Sequence, residues 1–74
     1  MSRLSPLKTE EVIRRLRKLG FEGPIPGGRH PRMIRLTTRQ IVPVPMHKGK
    51  EVGVGLIRTI LRQAGVTPEQ WNDL

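Results

Sequence analysis

The chain has 74 residues, 14 of them Lys or Arg against 6 Asp or Glu, giving a formal charge of +8 with no cysteine. So short a chain, 35% hydrophobic, is expected to bury one modest core as a single domain, and without cysteine no disulfide or thiolate-zinc site can staple it. A charge that large on so small a body calls for an anionic partner: nucleic acid first, then a membrane surface or an acidic protein.

In chain order, Met1-Ser2-Arg3-Leu4-Ser5-Pro6 has no apolar core of a signal peptide, and no later stretch approaches the roughly 20 apolar residues of a membrane span. A cytoplasmic protein with one domain over residues 1–74, not bound to membrane, is expected. Residues 9–19 read as an amphipathic helix, with Thr9 as N-cap, Glu10 and Glu11 in the first turn and Gly20 after its end. Val12, Ile13, Leu16 and Leu19 should face the core, Arg14, Arg15, Arg17 and Lys18 the solvent, with Phe21 packing under the helix end.

Residues 22–28 hold Gly23, Pro24, Pro26 and a Gly27-Gly28 pair, so any strand there belongs at an edge. Residues 30–36 make a better strand, Thr37-Thr38-Arg39 a turn, and residues 40–44 a return strand in which Pro43 marks the other edge. A three-stranded antiparallel meander with its second strand central follows. Alternation puts His30, Arg32, Ile34 and Leu36 on one face and Arg29, Met33 and Arg35 on the other; Ile34 and Leu36 are expected inward, with His30 and Arg32 emerging at the rim.

After a glycine-rich connection, residues 54–64 form the clearest helix, its buried stripe read as Leu56, Ile57, Ile60, Leu61 and Ala64, with Arg58 and Arg62 outward. Thr67-Pro68-Glu69-Gln70 is a capping box with proline at the first helical position, carrying Trp71 and Leu74 onto the core. The fold class is therefore α+β, ordered α-β-β-β-α with both helices on one sheet face and a short C-terminal helix. That is the order of double-stranded-RNA-binding-type folds.

The charges are unevenly placed. Glu10, Glu11 and Glu69 complement helix N-termini, whereas residues 23–50 contain no acid. That run carries Arg29, Arg32, Arg35, Arg39, Lys48 and Lys50 with His30 and His47. Such a run is either a solvated surface or a phosphate-binding one; nothing local neutralises it, which favours the second.

These residues also resemble a known family. Glu11-Val12-Ile13-Arg14-Arg15-Leu16-Arg17-Lys18-Leu19-Gly20-Phe21 looks like the first helix of HicA-type toxins. Gly28-Arg29-His30 stands where that family has Gly-Ser-His, and Val44-Pro45-Met46-His47 is similar to its Val-Pro-x-His segment. Residues 49–52 and 55–66 resemble its last helix and the approach to it. The resemblance implies a messenger-RNA-cleaving ribonuclease toxin, held in check by a HicB-like antitoxin, whose essential histidine corresponds to His30. Arg29 replaces the family's serine, and Gly23, Pro24 and Pro26 interrupt the first strand.

RNA cleavage without a metal needs a base for the ribose 2′-OH, an acid for the leaving 5′-oxygen and positive charge for the phosphorane. Histidine, titrating near pH 6.5, suits the proton work, and the arginine fork suits the phosphate. His30 is the candidate catalytic group; Gly28, Arg29, Arg32, Arg35, Lys48 and Lys50 are the candidate RNA contacts. His47 reads equally as a strand-end residue or a second acid–base group. Lys48-Gly49-Lys50 lacks the spacing of a nucleotide-phosphate loop, and no metal or other cofactor is expected. Phe21 and Trp71 read as core rather than as base-stacking platforms, so contact with RNA should be phosphate-directed with weak sequence preference. A non-catalytic basic RNA-binding module remains the alternative. Nothing in the sequence bears on self-association.

Overall fold

The computed structural model describes residues 2–45 and 50–74. Its elements in order are β1 (Leu7–Lys8), α1 (Thr9–Lys18), β2 (Glu22–Ile25), β3 (Arg32–Arg35), β4 (Gln40–Pro43), β5 (Glu51–Val52), α2 (Val54–Ala64) and α3 (Pro68–Asn72). The three-stranded antiparallel sheet runs β2-β3-β4, so the strand between the proline-bearing edges is central as expected. A feature not anticipated is the short antiparallel pair of β1 with β5, Leu7 opposite Val52 and Lys8 opposite Glu51. It converts part of the glycine-rich connection into a strand and holds the segment that leads into α2 against the one that leads into α1.

Helix α1 forms because Thr9, Val12, Ile13 and Leu16 make one buried stripe, while its acids fall in the first turn and its bases in the last. Its end is a Schellman motif: the Phe21 N–H donates to the Leu16 carbonyl at 3.0 Å and the Gly20 N–H to the Arg17 carbonyl at 3.0 Å. The N-cap expectation is corrected. Lys8 holds that position without a side-chain cap, and Thr9 sits one residue inside the helix, buried. Helix α2 occupies the residues expected of it and closes at Gly65. The Thr67 capping box is complete, with Gln70 N–H to Thr67 Oγ1 at 3.1 Å and Thr67 N–H to Gln70 Oε1 at 2.9 Å. It aims Trp71 into the core, where the ring is fully covered.

The buried residues make one cluster, in which α1, α2 and α3 meet Met33, Val42 and Val44 from the sheet. Met33 and Val42 are cross-strand partners and both wholly buried. The expected facing of β3 is thereby reversed: Met33 points inward, while Leu36 is 71% exposed and Ile41, opposite Ile34, is 50% exposed. The cause lies on the neighbouring strand, whose alternating Val42 and Val44 select the inner face, and in Arg35, whose aliphatic stem lets a charged residue stand on that face. Leu56 likewise lies outside the core, 45% exposed.

The β2–β3 ladder pairs Glu22 with Ile34 and Ile25 with Arg32, with a register shift between. Gly23 sits in that shift at φ 129°, and a Cβ there would lie 2.7 Å from the Arg32 carbonyl oxygen. Any side chain at this position would force the strands apart. Arg17 of α1 holds the same glycine from the other side, donating to its carbonyl from Nη2 at 2.8 Å and Nε at 3.2 Å.

Candidate active site

Between β2 and β3 the chain runs Pro26-Gly27-Gly28-Arg29-His30-Pro31 without regular structure. Its far end is fixed to the sheet: the Val44 N–H donates to the Pro31 carbonyl at 2.9 Å, extending the β3–β4 ladder past β3. His30 is thus tethered one residue from the sheet's edge while its side chain faces solvent. Gly28 adopts φ 65° with no heavy atom within 4 Å of where a Cβ would stand, so backbone handedness rather than crowding favours glycine there.

His30 lines two depressions. One is shared with Gly27, Gly28, Arg29, Arg32 and Pro43. Arg32 leans over the loop, its Nη2 3.5 Å from where a Cβ on Gly27 would be. The other lies against α2, where His30 meets Pro43, Pro45, Leu56, Thr59, Ile60 and Gln63. Among the described residues, neither Arg29 nor Arg32 has an acidic partner, since both ion pairs belong to Glu11. An exposed imidazole flanked by two such guanidiniums can receive a phosphodiester and exchange a proton with it.

Of the residues singled out from sequence, the structure brings Gly28, Arg29, His30 and Arg32 together. Arg35 is not in this group. Its guanidinium lies on the inner face, donating to the Leu19 carbonyl at 2.8 Å, the Ala64 carbonyl at 3.3 Å and the Gln40 side chain, 4.8 Å above the Phe21 ring. Lys50 is exposed ahead of β5 and lines neither depression. His47 and Lys48 lie outside the described residues. Sequence reasoning missed the α2 residues beside His30: Leu56, Thr59 and Gln63 are spaced i, i+3, i+7, one stripe along a helix, offset from the buried one.

Fold and loop together define a class: a small basic α+β protein of double-stranded-RNA-binding-like topology with an exposed histidine between arginines that have no acidic partner among the described residues. The family model described as the HicA toxin of bacterial toxin-antitoxin matches residues 9–66. The chain belongs to that family and is a toxin of a toxin–antitoxin system. No curated protein matches it. Among the described residues, no helix is long and apolar enough to cross a membrane.

Proposed function

We propose that this toxin is a metal-independent endoribonuclease acting on messenger RNA in the cytoplasm, with His30 as its acid–base group. The observation that carries the reading is the shared depression of His30, Arg29 and Arg32 in a chain of the HicA family. The neutral imidazole takes the 2′-OH proton as the 2′-oxygen attacks phosphorus, giving a 2′,3′-cyclic phosphate and a free 5′-OH. Arg29 and Arg32 hold the phosphate oxygens and offset the charge gathering on the phosphorane. A second acid protonates the leaving 5′-oxygen; His47 is the candidate by residue type.

The partner of such a toxin is an antitoxin that covers the site. A HicB-like protein presenting carboxylates to Arg29 and Arg32 would bury His30 and bind less tightly as salt rises. Purified protein and labelled RNA in chelator test the enzyme. Wild type should give cyclic-phosphate ends, and His30→Ala should cleave about 10²–10⁴-fold more slowly with its circular dichroism unchanged. Equal cleavage by both proteins would remove His30 from the chemistry. Salt-sensitive binding by both without products would leave the non-catalytic RNA-binding module.

A further inference from the structure

The two depressions that share His30 differ in chemistry, and the difference matches the two parts of a nucleotide. The first is cationic, with Arg29 and Arg32 over a glycine loop. The second has apolar walls of Pro43, Pro45 and Leu56 and two neutral polar groups, Thr59 and Gln63, with His30 in the same lining. Leu56 is 45% exposed on a helix whose other large aliphatic residues, Ile57, Ile60 and Leu61, are buried, so the fold leaves an apolar surface beside the charged one. Thr59 Oγ1 donates back to the Gly55 carbonyl at 3.3 Å and accepts no hydrogen bond among the described residues. The Gln63 backbone carbonyl accepts from Gln40 Nε2 at 3.0 Å, which pins the end of α2; the Gln63 side-chain amide has no hydrogen bond among the described residues.

We propose that the second depression is a nucleobase subsite, seating the base next to the scissile phosphate and making Gln63 the residue that selects it. This rests on the nuclease reading of His30 and adds a preference that composition alone did not suggest. With His30 as the common wall, a phosphate held by Arg29 and Arg32 places the adjoining base over Leu56 and the prolines. There it packs by its π-face, while its edge meets an amide that donates and accepts at once. Among the described residues no Lys, Arg, Asp or Glu lines this depression, which disfavours a charged occupant.

The test uses the full chain and short single-stranded oligoribonucleotides that differ only in the bases flanking one cut site. Wild type should favour one base at one flanking position by about threefold to tenfold, the range of a single net hydrogen bond. Gln63→Leu should flatten that preference by slowing the favoured substrate to the rate of the others; Arg32→Ala should slow every substrate alike and leave the preference in place. Unchanged base ratios in Gln63→Leu would overturn the subsite and leave the nuclease reading intact. Fluorescence anisotropy on the same oligonucleotides carrying 2′-deoxyribose at the cut site supplies the second arm. If wild type cleaves nothing, base-dependent binding lost in Gln63→Leu still supports the subsite, and base-blind wild-type binding overturns it.

Discussion

Arg35 donates to carbonyls at the ends of both α1 and α2, to Gln40 and, through Nε at 2.9 Å, to Thr38, with Phe21 beneath it. It therefore closes the β3–β4 turn against two helix termini whose carbonyls have no continuing helix to serve. Arg35→Ala should lower stability by about 2–3 kcal/mol, read from urea unfolding, because charge-assisted bonds and a cation–π contact are lost together. The RNA affinity of the folded protein should be unaltered by that change. Thr9 makes the opposite case. Its Oγ1 is buried without a hydrogen-bond partner among the described residues, so Thr9→Val should raise stability by about 1 kcal/mol in the same experiment.

At the scale of elements, Arg14 and Arg15, both paired with Glu11 on α1, tie that helix to α3 and the residue Leu74 beyond it. Glu11 accepts from Arg14 at 2.5 Å and Arg15 at 2.7 Å; Arg14 also donates to the Leu74 carbonyl at 3.0 Å, while Arg15 lies over the Trp71 ring at 5.5 Å. Basic residues that the helical wheel turns toward solvent thus strap down the last helix. The Arg14 hydrogen bond, then that of Arg15, holds the Glu11 carboxyl down at about 2. A carboxylate whose folded value lies below its unfolded one stabilises fully above the ordinary range, and the contribution is lost as pH falls through about 4.5 toward about 2. The thermal stability of wild type should therefore fall across that acid window, and Glu11→Gln should show a shallower slope there. The loop between β2 and β3 obeys a different rule, since Pro31 is bonded to Val44 while Gly27 and Gly28 leave the preceding backbone open to a ligand.

For the whole molecule, the +8 charge is divided between the fold and the surface. Arg14, Arg15, Arg17 and Arg35 donate to carboxylate, carbonyl or amide groups of the chain itself. Arg29 and Arg32 stand beside His30 without acidic partners among the described residues, and Lys50 is exposed. If these three meet RNA, the logarithm of affinity should fall against the logarithm of salt with a slope of about −2, at about 0.7 per phosphate on a single strand. Titrations between low and moderate salt check it; a much steeper slope would mean that other cations also bind RNA.

Helix limits, the Gly20 and Gly65 ends, the Thr67 box and the central position of β3 were legible because they follow from neighbours in sequence: the Val12–Leu16 stripe, the box residues, prolines at the strand edges; the Thr9 cap of α1 was not. The Gly28-Arg29-His30 run was legible as residue types in one place, but His30 was expected to begin the strand and instead lies in the loop before it, since β3 spans only Arg32–Arg35. What only the tertiary structure decided depends on residues far apart in the chain. The inner face of β3 was chosen by Val42 and Val44, β5 exists because Leu7 and Lys8 lie beside it, and Arg35 turned inward because Leu19 and Ala64 end their helices there. The meeting of His30 with Leu56, Thr59 and Gln63 is of the same kind. Local spacing specifies which elements form and which side chains they present, whereas the pairing of distant elements specifies which of those side chains share a site.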